Sequence, residues 1–429
     1  VLLLSSAVEY SVIGGNMSVK IKTLFNKRSL VYLSTIFLSV ILLIAGNRIT
    51  TKNLDILSGA EGVNAEKAQV KKVVNIETVE YDLGGETPET GKNIYFTAEI
   101  LSGVNKGTEV SALQTVDPFT GAALKEVEPG DKIILYQLDN ENSDDEWVLG
   151  EYLRTDALII MGIAFLVLLV LLGGFKGFNT IVSLIFTCAA IFAVFIPAVL
   201  QGYNIYFWSI ITCCFIITMS FLIIYGANKK SLSAGIGCLA GILVSGFLTL
   251  IMDRVLKLTG LVNEESLYVV RVNPTNPIDL KAIIFAAILI GAIGAIMDVS
   301  MSIAASLAEL KDKLEYTPFS LIIKSGISIG RDIMGTMANT LILAYIGSSL
   351  SVVLLLVSYN SSILELMNKE MIVVEILQSL VGSFGILVTI PITSMVCAYL
   401  FSERVNTGSR KYRISRDDSF SEEYTDGWN

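Results

Sequence analysis

The chain has 429 residues, 53% of them hydrophobic and only 17% charged, with a net charge of −9 and no histidine. A soluble domain carries about a quarter charged residues, and the lack of histidine excludes a Ser-His-Asp triad, a Cys-His pair, His-ligated zinc and a histidine pH switch. The cysteines Cys188, Cys213, Cys214, Cys238 and Cys397 all fall in apolar runs, so they read as small apolar side chains rather than a disulfide framework.

In chain order, Ile13-Gly14-Gly15-Asn16-Met17 reads as a translated ribosome-binding site before a start at Met17. Residues 1–16 are therefore expected not to be translated natively, and 1–29 to form a cytoplasmic N-terminus. Lys20, Lys22, Lys27 and Arg28 precede the first apolar run, Leu30–Gly46. Its end, Ile44-Ala45-Gly46-Asn47, is a poor small-x-small site, which favours an uncleaved anchor over a signal peptide. Residues 47–69 are polar and aperiodic and read as a linker.

Strand signals begin at Val70, with runs at Val73–Val79, Ile94–Leu101, Glu109–Thr115 and Ile133–Leu138. Turn-type clusters separate them: Gly84-Gly85, Gly103 to Gly107, and Glu128-Pro129-Gly130-Asp131. Residues 70–153 thus predict an all-β domain of four or five short strands, a small barrel or sandwich of OB-like type. Between Asn47 and Leu153 stand 20 acidic residues against 9 basic, which argues against nucleic acid as a partner and for a solvated domain.

Seven more apolar runs fill residues 154–401: Ala157–Gly174, Phe178–Leu200, Ile205–Tyr225, Leu232–Met252, Ala282–Leu307, Met337–Ser358 and Ile372–Leu400. Each can cross about 30 Å of hydrocarbon as a helix, the only structure that satisfies its own backbone in lipid within one segment. The fold class is therefore an α-helical integral membrane protein of about eight spans, with the β domain inserted after the first helix.

Lys/Arg asymmetry places both termini in the cytoplasm and the β domain outside. Lys176, Lys229, Lys230, Lys311, Lys313, Lys324 and Arg331 then lie inside, as do the five basic residues of the polar tail 402–429. The outer segment Asp253–Lys281 is an exception, with four basic residues. Thr317-Pro318 opens an amphipathic segment, Phe319–Gly330, which reads as an interfacial helix leading into the seventh span.

Ionisable residues at membrane depth are costly and point to function. Asp298 lies in the sixth span; Arg331, Asp332, Asn339 and Thr340 enter the seventh. Two readings stand side by side: Asp298 pairs with Arg331, or Asp298, Asp332 and Asn339 form a cation site. The bland alternative places Asp298 at the inner interface, paired with any nearby base. Met297, Met301, Met334 and Met337 could hold a soft metal such as Cu(I), but methionine packs as readily, so no metal or cofactor is expected. Glu375 and Gln378 form a second polar pair at the outer start of the eighth span, or simply a solvated helix end. Pro197 and Pro391 are expected to bend their spans.

The string Gly330-Arg-Asp-Ile-Met-Gly-Thr-Met-Ala-Asn-Thr-Leu-Ile-Leu-Ala-Tyr345, with Met297-Asp-Val-Ser-Met-Ser302 and Glu375, Gly382-Ser383 and Pro391-Ile-Thr393, resembles the YibE/F family of bacterial membrane proteins. The resemblance runs from about Val73 to about Tyr399. It implies a bacterial cell membrane and a partner from the same family or a second copy, and it transfers no activity.

Three functions compete. The first is a transporter or channel-like protein for an ion or small solute. The second is a membrane scaffold whose outer β domain binds a partner or envelope component. The third is an intramembrane aspartyl enzyme, which the sequence disfavours because Asp332 follows Arg331 rather than a Gly-x-Gly motif. No nucleotide-binding loop is present in the sequence.

Overall fold

A computed structural model describes residues 27–52, 64–81, 89–118, 125–138, 146–271, 277–314, 316–358 and 362–402, with two-residue strands at Val12–Ile13 and Asn16–Met17. The expectations for almost all of residues 1–16, for the middle of the linker and for the tail after Ser402 lie outside these residues. The chain divides into two compact units, Ile41–Gln201 and the remainder, and helix α1, Lys27–Thr50, runs from one into the other.

In the first unit five strands close into a barrel. They are β1 Asn64–Tyr81, β2 Glu89–Ile100, β3 Glu109–Val116, β4 Lys132–Leu138 and β5 Glu146–Tyr152. Their order is β1-β2-β3-β5-β4 and back to β1, with only β3 and β5 parallel. Period-two alternation makes the barrel: Ile94, Phe96, Ala98 and Ile100 of β2 are buried, while Tyr95 between them is exposed. Two irregularities in β1, between Val70 and Lys72 and between Val73 and Asn75, bend the strand so that it pairs with both β2 and β4. The small-barrel expectation holds. The linker is shorter than expected, because α1 continues to Thr50 and β1 begins at Asn64.

The segment before β4 is tied down by Gln114, which is 4% exposed. Its Nε2 donates to the Lys125 carbonyl at 2.9 Å, and its Oε1 accepts from Val127 N–H at 2.9 Å. Gln114→Ala strands both backbone groups and is expected to destabilise the barrel by roughly 2–3 kcal/mol, read as a lower melting temperature; an unchanged melt would contradict it. Next to this lock, Lys125 Nζ contacts both oxygens of Asp131 at 2.9 Å. Partial burial works against the Asp131 carboxylate. The Lys125 hydrogen bond and the Glu128 N–H outweigh it and hold the carboxyl below its usual range. The stability from this depressed group is present above its unfolded value and is lost as pH falls through the folded one.

Helix α2, Thr155–Ala190, breaks at Gly174, whose φ of 54° and ψ of −132° lie outside the helical region. The turn is sharp enough that a Cβ on Gly177 would collide with the Leu169 carbonyl. A π turn, Ile191–Phe195, and α3, Ile196–Leu200, follow. Pro197 has no N–H for the Ala193 carbonyl one turn back; Asn47 Nδ2 of α1 donates to it at 2.6 Å instead.

The second unit holds α4 Ile205–Tyr225, α5 Lys229–Leu256, α6 Glu264–Arg271, α7 Leu280–Lys313, α8 Phe319–Ser348, α9 Leu350–Ser358, α10 Ile363–Asn368 and α11 Glu370–Phe401. Asn204, Asn228, Asp279 and Ser362 cap α4, α5, α7 and α10. Helix α11 packs against α5, α7 and α8, and small residues set the approach. A Cβ on Gly237 would strike Thr393 Oγ1, one on Gly241 Thr389 Oγ1, and one on Gly385 Ser245 Oγ.

The same device corrects the reading of Phe319–Gly330 as an interfacial helix. Residues 319–348 form one continuous helix, and Gly326 and Gly330 seat it on Ser394 and Ile390 of α11. A pair of glycines four apart marks a packed helix face here, not a helix end.

Among the described residues six helical segments are long and apolar enough to cross a membrane: Leu30–Thr50, Thr155–Leu200, α4, α5, α7 and α11. Helix α8, with Lys324, Arg331 and Asp332, is not among them.

Candidate functional site

Most helices of this chain expose bulky apolar side chains. Phe207 of α4, Leu243 and Phe247 of α5, and Leu380, Phe384 and Met395 of α11 are exposed, as a hydrocarbon solvent requires. Helices α7 and α8 differ.

Helix α7 buries its apolar residues on one side, among them Ile288, Leu289, Ile296, Ile303 and Leu307. Between Ala287 and Ser306 its exposed residues are Ala287, Gly291, Gly294, Asp298, Ser302 and Ser306. They recur every three or four positions and so form one stripe. Every member is small or polar. On α8, every exposed residue from Ser320 to Thr340 is polar or glycine: Ser320, Lys324 and Ser328, then Arg331 and Asp332, then Gly335 and Thr336, then Asn339 and Thr340. This is a second stripe, about 30 Å long at 1.5 Å per residue.

The structure thus gathers Arg331, Asp332, Asn339 and Thr340 on one helix face. Thr340 Oγ1 donates to the Thr336 carbonyl at 2.8 Å, and Thr336 Oγ1 to that of Ile333 at 2.9 Å. These hydroxyls therefore stay on the helix and keep a lone pair to offer.

Asp298 stands on the neighbouring helix at a similar level. Ile296, half a turn before it, lies where Cβ atoms on Gly241 and Gly385 would be, and Gly330, next to Arg331, abuts Ile390 of α11. Both charges are therefore level with Gly385–Ile390. Yet no ion pair or hydrogen bond among the described residues joins Asp298 to Arg331 or Asp332; Tyr225, at the end of α4, is a titratable group within electrostatic reach of Asp298. Among the described residues, then, no Asp298–Arg331 pair forms.

Glu375 and Gln378 sit apart, half-buried on α11. Glu375 Oε2 is buried without a hydrogen-bond partner among the described residues. Tyr345 of α8 is within electrostatic reach of Glu375, and its Oη stands 2.5 Å from where a Cβ on Gly291 would be. It spans the gap between α8 and the α7 stripe. Sequence reasoning missed Tyr345, Ser302, Ser306 and Ser328 as site residues; their signal is the spacing of polar residues at helical period.

A sequence model described as YibE/F-like protein matches residues 161–403, more than half of the chain. It covers both stripes and starts after the barrel, so the resemblance that the sequence placed from Val73 onward is carried by the helical part. No curated protein and no solved structure matches the chain.

Proposed function

The chain belongs to the YibE/F-like family, and from that premise we propose that it is a multi-pass protein of a bacterial cell membrane whose α7 and α8 line a pathway for an ion or small polar solute. The observation that carries the reading is the pair of stripes. Polar residues at membrane depth face protein or water, not lipid, and these face neither within the chain. Asp298, Asp332, Asn339 and Thr340 offer oxygen ligands to a cation, and Arg331 is the basic residue on the same face. Gly-interrupted helices with polar residues near mid-depth are a common way to build such sites.

The topology that fits has eight spans. Splitting Thr155–Leu200 at Gly174 turns the six apolar segments into seven, and α8 with α9 supplies an eighth. Both termini then lie inside and the barrel, which we read as OB-like, lies outside. This puts Lys229 and Lys230 inside and Lys106 outside.

Thiol accessibility tests the pathway. In a background without native cysteines, Ser302→Cys and Asn339→Cys are expected to react with a charged, water-soluble methanethiosulfonate, and Leu243→Cys is expected to stay unreacted. Equal silence at all three positions overturns the pathway.

The barrel supports a second reading, a scaffold that holds an envelope component or partner. Val74, Asn75, Glu77, Tyr95, Phe96 and Ser111 line an open cleft of about 340 Å³ on its outer face, within the size range of small-ligand sites. If this reading alone is right, Tyr95→Ala abolishes the cellular phenotype while Asp298→Asn leaves it intact.

A further inference from the structure

We infer that a second copy of this chain covers the α7–α8 face, with Asp298 of each copy meeting Arg331 of the other. The inference rests on the membrane-spanning reading above and identifies the partner that closes the same site.

Three observations lead to it. Asp298 and Arg331 are both exposed and make no ion pair with another described residue, and a lone charge at membrane depth is costly. The α7 stripe is acidic and the α8 stripe is net basic. The α7 stripe bears Asp298 and no basic residue between Ala287 and Ser306, whereas α8 presents Lys324 and Arg331, with Asp332 its one acid between Ser320 and Thr340. Finally, Gly294 of α7 and Gly335 of α8 have nothing within 4 Å of an added Cβ. A glycine inside a helix is less stable than an alanine. Gly237, Gly241, Gly326, Gly330, Gly382 and Gly385 are each packed against a neighbouring helix. Gly294 and Gly335 lie on the two stripes, so both faces leave room for the close approach of a second helix.

Depth decides which copy fits. A two-fold axis along the membrane normal returns every residue to its own depth, and an isologous contact pairs residue i with j and j with i. Two oppositely charged residues can then satisfy each other across the axis only if they share a level. Asp298 and Arg331 do, since their near neighbours Ile296 and Gly330 pack against Gly385 and Ile390 of α11. The pair forms twice, and the remaining stripe residues, Ser302 and Asn339 among them, are enclosed between the copies.

A charge exchange between differently tagged chains tests this. Asp298→Arg alone gives a copy with two bases, and Arg331→Asp alone a copy with two acids. Each should lose its own dimer, measured as mass in nanodiscs. Expressed together they should restore a mixed dimer at near wild-type recovery, because both cross-copy pairs re-form. A pair within one chain can never be restored in this way. As a check independent of those variants, Asp298→Cys and Arg331→Cys on separate tagged chains should be joined by a short bis-methanethiosulfonate, since an acid–base pair spaces Cα atoms beyond the roughly 7 Å limit of a disulfide. Monomeric wild-type mass, or folded variant chains that neither co-purify nor cross-link, overturns the second copy. Reagent access at Asn339→Cys separates the two ideas: access without cross-linking retains the pathway and removes the dimer, and cross-linking without access retains the dimer and removes the pathway.

Discussion

Gly241→Leu and Gly385→Leu are expected to abolish the folded protein, and the corresponding alanine variants to cost roughly 1–3 kcal/mol each. The two glycines face each other where α5 and α11 come closest. A Cβ on Gly241 would meet Thr389 Oγ1, the Gly385 carbonyl at 3.0 Å and Ile296 at 3.1 Å; one on Gly385 would meet Ser245 Oγ and Ile296 at 2.6 Å. Rotating a hydroxyl aside is not free. Thr389 Oγ1 donates to the Gly385 carbonyl at 2.8 Å and lies 3.4 Å from that of Gly237, and Ser245 Oγ donates to the Val381 carbonyl at 3.3 Å. An added side chain therefore displaces backbone, along the helix that also holds α7 and α8. Gly162→Ala in α2, with nothing within 4 Å, serves as the control and should melt like wild type. Detergent melts and monodisperse yield of the four variants and the control decide it. An alanine at position 241 or 385 as stable as the control would mean that the α5–α11 contact is looser than described.

The six long apolar helices were legible because the demand is crude: an uncharged run of sufficient length. The break at Gly174 was legible for the same reason, since the two runs on either side of it are each long enough. Helix α8 was harder. Thr317-Pro318 marks the helix start to within one residue, with Pro318 rather than Thr317 at the cap position, but Gly330 reads in sequence as the end of a separate segment, because sequence alone does not distinguish a glycine that stops a helix from one that docks it. In the barrel, β5 is hard to see in the sequence because its apolar run is short, Trp147-Val148-Leu149-Gly150 between Glu146 and Glu151, and follows directly on the acidic stretch Asp139–Glu146.

The site was half legible. Charge at membrane depth singled out Asp298, Arg331 and Asp332, and helical spacing places Asn339 and Thr340 with the latter two. What the residues could not disclose is that both stripes face outward. A small-residue stripe on α5 turns inward against α11, and a similar one on α7 stays open. Only the packed structure tells the two apart, and that distinction is what turns an expected intrachain pair into an unmet one.

Glu370→Ala is expected to lower stability by about 3 kcal/mol or more, although a charged residue at the start of a helix reads in sequence as ordinary decoration. The carboxylate is held by the turn after α5. Thr259 N–H and Gly260 N–H donate to Oε1 at 2.7 and 2.6 Å, and Thr259 Oγ1 donates to Oε2 at 2.8 Å. Hydrogen bonds to a charged group contribute about 1.5–3 kcal/mol each, discounted here because the group is partly exposed, and two successive backbone N–H groups form an anion-binding concavity. The turn itself is demanding: Lys257 has a φ of 52° and Gly260 one of 89°. Glu370 repays it by fixing the C-terminal end of α5 against the N-terminal end of α11, the two helices that meet at Gly241 and Gly385. Glu370→Gln keeps an oxygen for the two N–H groups and loses the charge, so it should fall between wild type and alanine. Thermal melts of the three proteins should therefore rank wild type, glutamine, alanine. If glutamine and alanine melt alike, charge rather than hydrogen-bond geometry holds the turn; if all three melt alike, the clasp contributes nothing and the helix register is set by the glycines alone.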